Sequence, residues 1–219
     1  MKKYELTEET VKVSEITLYR IRAVRDFGSV KTGDLGGYIE KEENLSHFGE
    51  AWVSGNAWVY GDARVSGNAW ASGDARVFGD AWVYGDARVS GNAWISGDAR
   101  VSGNARVFGN AWISGDAWAY GNARVFGNAW ISGDAWAYGN AEVFNTRHFF
   151  VQGPIGSRDG FVTFYRTKDN TVEVKCGCFS GSLQEFVNQV EKTHGGSRYE
   201  KEYKLAVELA KVCIHLEGE

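Results

Sequence analysis

The 219 residues include 28 glycines but a single proline, Pro154, with 43% hydrophobic and 24% charged residues; this composition excludes a disordered chain and signals a periodic one. There is no apolar run near twenty residues and no apolar segment in Met1–Glu9, so neither a spanning helix nor a secretory signal is expected, and three cysteines do not make a disulfide framework. A net charge of −4 gives no general attraction to nucleic acid or to an anionic membrane, and the expected location is the cytoplasm.

Residues 1–46 read as an N-terminal β cap. Thr17–Arg25 alternates as a strand with Tyr19, Ile21 and Ala23 on one side, and Gly33–Glu40 reads as a turn-rich lead into a repeat region. His47–Trp52 then resembles a degenerate opening unit of that repeat, which occupies residues 47–145.

From Val53 to Glu142 the chain runs through fifteen six-residue units without an insertion. Position one is Val, Ile or Ala, position three is Gly, position four Asn or Asp, and position five Ala. Position six is Trp, Arg or, in the last unit, Glu. Such a unit is too short for a helical repeat, and its Gly-Asn or Gly-Asp pair recurs where a corner needs positive φ; each unit is one short strand and one corner. Val107–Arg124 recurs at Val125–Glu142 with only the last residue changed, so the full period is eighteen: three units per coil, with coils stacking as parallel strands about 4.8 Å apart.

The aliphatic residue followed four places later by alanine resembles the left-handed parallel β-helix of hexapeptide-repeat proteins. That resemblance implies the hand and a mainly β solenoid with eighteen residues per coil.

Stepping by eighteen sorts position six into three outward faces. The first carries Trp58, Arg76, Trp94, Trp112 and Trp130; the second Arg64, Trp82, Arg100, Trp118 and Trp136; the third Trp70, Arg88, Arg106, Arg124 and Glu142. Position two is expected to add Phe108 and Phe126 to the first face and Tyr84, Tyr120 and Tyr138 to the third.

Residues 146–219 read as a small α+β domain. Phe161–Arg166 and Thr171–Cys176 flank a hairpin turn, and Ser182 to Glu185 has capping-box spacing for a helix ending at Gly195–Gly196. A second helix over Tyr199–His215 is expected to carry Leu205, Leu209 and Val212 on one face. The stretches LYRIRAVRDFG, GDLGGYIEKEENLS, GPIGSRDG and CGCF, with a helix ending in THG, resemble a group of phage and prophage hexapeptide-repeat proteins; that resemblance implies a viral accessory role.

Acyltransferases and zinc enzymes built on such solenoids use histidines, and none lies between His47 and His148. No catalytic residue, cofactor or metal site is therefore expected. Cys176 and Cys178 have poor chelate spacing and are expected to be buried thiols. His194 should meet helix C-terminal carbonyls.

The column Arg88, Arg106, Arg124, with Tyr84, Tyr120 and Tyr138 expected beside it, suits a phosphorylated small ligand. Arginines paired with Asp86 or with carboxylates of the C-terminal domain are the commoner use of such a column, since exposed ion pairs form readily. Gly153–Arg158 offers backbone N–H groups with Ser157 and Arg158, as an anion nest or an ordinary turn.

Trp94, Trp112 and Trp130, with Phe108 and Phe126, form an apolar strip suited to an interface. The expected function is a non-catalytic phage or prophage accessory binding protein that sequesters a nucleotide signal or occupies a host defence protein. The alternatives are a homo-oligomeric (dimeric or trimeric) assembly protein and a degenerate acyltransferase.

Overall fold

The computed structural model describes residues 2–216; Met1 and residues 217–219, the outer ends of the two flanking regions, lie outside the described residues. The chain is mainly β: a parallel β-solenoid followed by an antiparallel sheet and two helices.

Sixteen two-residue strands, β4 to β19, run from Trp52–Val53 to Glu142–Val143. Each joins position six of one unit to position one of the next, and pairs with strands eighteen residues away, as in Trp94↔Trp112↔Trp130 and Arg88↔Arg106↔Arg124. Two residues suffice because the corners are also tied between coils: the N–H groups of Asn92, Trp94 and Ser96 donate to Gly109, Ala111 and Ile113 carbonyls at 2.8, 3.0 and 3.0 Å. Position-one and position-five side chains fill the interior and are essentially inaccessible.

The corner glycine is required on two counts. Gly91 has φ +69°, and a Cβ there would lie 2.9 Å from the Gly109 nitrogen and 3.0 Å from its oxygen on the next coil. Gly133 has φ +65° but nothing within 4 Å of the same position. Gly133→Ala is therefore expected to cost about 1–2 kcal/mol for left-handed backbone alone. Gly91→Ala should cost about 1 kcal/mol or more beyond that, because backbone on the next coil must also give way. Denaturant unfolding of the two variants checks the difference, and equal costs would mean that coil contact does not select the glycine.

The parallel ladder begins earlier than residue 47. Leu35–Ile39 (β3), expected as a turn, is a strand that pairs parallel to Trp58–Val59. Its glycines serve close packing rather than a turn: a Cβ on Gly36 would sit 2.6 Å from the Val53 oxygen, and one on Gly37 2.5 Å from the Ala57 oxygen. The Tyr38↔Trp58 and Leu45↔Val65 pairs are offset by twenty and Trp52↔Trp70 by eighteen, so two extra residues fall between Leu45 and Trp52.

Ile16–Ala23 (β2) pairs antiparallel with β3 and with Tyr4–Val13 (β1), a charged edge strand that the sequence pattern does not reveal. Ile21 and Ala23 are buried on one side as the alternation implies, but Leu18, from the other phase, is buried too.

In the C-terminal region, strands Phe149–Ile155 (β20), Gly160–Arg166 (β21), Val172–Cys176 (β22) and Phe179–Ser182 (β23) form an antiparallel meander. Alternation along β21 gives the sheet two uses: Val162 and Phe164 pack with the helices, whereas Tyr165 joins the solenoid core and closes its last coil. Thr163 Oγ1 accepts from the Trp136 N–H at 3.3 Å, and Lys168 N–H donates to the Asn140 carbonyl at 3.2 Å, fixing the sheet to the solenoid end.

Helix α1, Leu183–His194, starts at a Ser182–Glu185 capping box. Helix α2, Arg198–Cys213, turns Ala206, Val207 and Ala210 inward, whereas the face of Leu205, Leu209 and Val212 is exposed. The small side chains permit close approach to α1 and β20, and this selects their phase over that of the larger leucines.

Candidate functional site

The docking of the C-terminal sheet on the last coil leaves a cleft of about 490 Å³ between them. Trp136, the last tryptophan of the second face, forms one wall; Phe161, Phe179, Phe186 and Tyr203 supply further aromatic surface. Arg158, in the turn after β20, and Lys175, on β22, bring positive charge, Asp134 of the last coil brings one carboxylate, and Ser157, Thr193 and His194 bring polar groups. Lys175 Nζ lies 5.4 Å from the Trp136 ring and 5.2 Å from that of Tyr138, a cation–π position. Cleft and charges together suit a planar, anionic small molecule.

Two titratable groups of the cleft, Tyr203 and Cys176, are shifted away from their ionised forms. Burial pushes the Tyr203 hydroxyl up to about 12, with the neighbouring Cys176 adding to the shift. Burial likewise raises Cys176, whose thiol is hydrogen-bonded to Tyr203, so it stays protonated near neutrality. Cys176 is half-buried and Cys178 exposed, which corrects the expectation of buried thiols. No cluster of three or more metal-ligating side chains occurs among the described residues. The His194 ring lies 5.8 Å from the rings of Tyr199 and Tyr203, facing the cleft rather than the helix-end carbonyls.

Of the expected ligand residues, only Ser157 and Arg158 meet in this cleft. They belong to an ordinary turn, and the Gly156 N–H, one donor of the expected nest, is already bonded to Glu202 Oε2 at 2.8 Å. Arg88, Arg106 and Arg124 stack on the third face as expected. Arg124 pairs with Glu142 at 3.2 Å, and Arg166 of the C-terminal sheet approaches the same carboxylate at 3.7 Å. Asp86 does not pair with the column; it accepts from Asn68 at 3.0 Å. Arg88 and Arg106 are exposed and form no ion pair among the described residues.

Position two lies on other faces than expected. Tyr84, Tyr120 and Tyr138 follow the second-face strands of Trp82, Trp118 and Trp136, not the arginine column. Phe108 and Phe126 follow Arg106–Val107 and Arg124–Val125 on the third face, with Arg124 6.0 and 5.8 Å from their rings. The first face therefore carries its tryptophans without the two phenylalanines. Trp94–Trp112 is edge-on at 5.1 Å and Trp112–Trp130 stacked at 5.4 Å, with Trp112 37% and Trp130 53% exposed.

No helix among the described residues is long and apolar enough to cross a membrane. A search of curated proteins finds no match to the chain. Within the solenoid, residues 57–73, 81–97, 99–115 and 120–135 match the YdcK β-solenoid repeat, so over these stretches the chain is similar to that family of repeats.

Proposed function

We propose that the chain is a non-catalytic cytoplasmic binding protein, an accessory protein of the phage or prophage hexapeptide-repeat kind, that sequesters a nucleotide signal of host defence. The observation that carries the ligand class is the convergence of Arg158 and Lys175 with aromatic walls in one cleft of about 490 Å³. A planar base finds surfaces to lie against, and a phosphate finds two cations.

Calorimetric titration with mono-, di- and cyclic nucleotides tests this, using wild type, Arg158→Glu and Arg106→Glu. Binding should weaken by about tenfold or more on Arg158→Glu and with added salt, because charge reversal and screening oppose the same attraction. It should survive Arg106→Glu. Loss on Arg106→Glu alone would move the seat to the third face, and absence of heat from every nucleotide would sink this reading.

The exposure of Trp112 and Trp130 favours a second role for the first face, as a self-association surface of a homo-oligomer.

A further inference from the structure

The solenoid carries two columns of opposite charge, each largely without a partner in its own molecule. On the third face, Arg88 and Arg106 are exposed and unpaired among the described residues. At the corner between the first and second faces, position four is aspartate in every coil: Asp62, Asp80, Asp98, Asp116 and Asp134. The corner between the third and first faces instead uses mostly asparagine, whose amides bond from coil to coil, as in Asn92–Asn110 and Asn110–Asn128, both at 3.2 Å. Asparagine therefore satisfies the corner without the repulsion that stacked carboxylates carry. Within the aspartate column only Asp62 has an ion pair, with Lys41 at 2.7 Å, among the described residues.

The chain also displays how its arginines fit its tryptophans at the coil spacing. Arg76 lies 4.5 and 5.2 Å from the rings of Trp58 and Trp94, and Arg100 lies 5.9 and 4.9 Å from those of Trp82 and Trp118. Trp112 and Trp130 have no arginine in their column beside them.

We propose that the first face and its aspartate corner receive the arginine column of a second copy of this chain. Arg88 and Arg106 of one copy seat against Trp112, Trp130 and the carboxylates of Asp98 and Asp116 of the next. A second copy is the fitting occupant because both columns are built on the same eighteen-residue coil, so their charges advance by the same step; an unrelated partner has no reason to match it. The contact is heterologous, which leaves one surface of each kind open after the first pairing and carries assembly beyond a dimer unless a ring closes. It rests on the first face being an association surface and names what lies opposite.

Sedimentation velocity of the full chain tests it, with Arg88→Glu/Arg106→Glu and Asp98→Arg/Asp116→Arg as the two variants; all four positions are exposed. Wild type should associate at low salt and dissociate about tenfold more readily at high salt. Each variant alone should remain monomeric, since like charges then face each other, and an equimolar mixture of the two should associate again. Wild type that is monomeric at every salt concentration would overturn both the association reading and this pairing. Wild type that associates while the arginine variant associates equally, or while the mixture stays monomeric, would overturn the pairing alone.

Discussion

Replacing Ala111 by Leu is expected to destabilise the protein by at least about 3 kcal/mol, at the upper end of the range for overpacked cores. Ala111 is wholly inaccessible and lies between Ala93 and Ala129 of the adjacent coils, joined to them through the Trp94 and Trp112 amides at 3.0 and 2.9 Å. A globular core can shift a helix to accommodate three more carbons. Here every coil is tied by backbone hydrogen bonds to the coil on each side, so swelling one corner strains both neighbours. Asn110→Ala, one residue away, gives the contrast: its side chain is exposed, accepting from Asn92 and donating to Asn128, and its loss should cost under about 1 kcal/mol. Urea unfolding of both variants reads the difference. An unchanged midpoint for Ala111→Leu would mean that position five does not face inward.

The solenoid is legible in the sequence because each position of the unit does one physical job, and that job selects one residue type. Alanine and valine mark the inside, glycine the left-handed corner, and the eighteen-residue step gives the columns directly. The misplacement of Tyr84, Tyr120, Tyr138, Phe108 and Phe126 comes from the frame in which the repeat is cut. A unit beginning at the aliphatic residue divides the strand, which consists of position six and the following position one, so position two belongs with the preceding unit's position six.

Other features depend on packing that no local pattern records. Gly36 and Gly37 look like a turn and are instead close-packed strand residues. The phase of α2 is set by how near it approaches α1 and β20. The cleft joins Asp134 and Trp136 to residues between Ser157 and Tyr203, and of its charged groups only Arg158 stands among the residues that the sequence offers as ligand candidates. Lys175 carries a weak signal, as the one cation in the Val172–Cys176 strand.

Between about pH 8 and pH 9 the protein should become more stable as the pH rises, and the residue responsible is Lys3. Its side chain is fully buried in the N-terminal cap, with Nζ donating to the Ala51 carbonyl at 2.6 Å and lying 4.9 Å from the Phe27 ring. Burial first, and the positive charge of Arg25 second, lower its pKa from 10.5 to about 8. Between those values the unfolded chain holds a proton that the folded chain has released, so the contribution of Lys3 to stability rises with pH across the interval. The gain is at most about 3 kcal/mol.

Tyr4 and Tyr165 act in the opposite direction. Burial raises both hydroxyls well above their ordinary 10.0, so above about pH 10 the unfolded chain ionises first and stability falls. Cys176, also raised by burial, begins to oppose the gain above its ordinary 9.0. Stability should therefore pass through a maximum between about pH 9 and pH 10. Lys3→Met removes the titrating group while leaving Tyr4, Tyr165 and Cys176 in place, so the difference between the two pH profiles isolates the lysine. Urea unfolding at intervals from pH 7 to pH 11 should show a wild-type rise that Lys3→Met lacks. Parallel profiles for the two proteins would mean that Lys3 reaches water in the folded state and carries its charge without penalty.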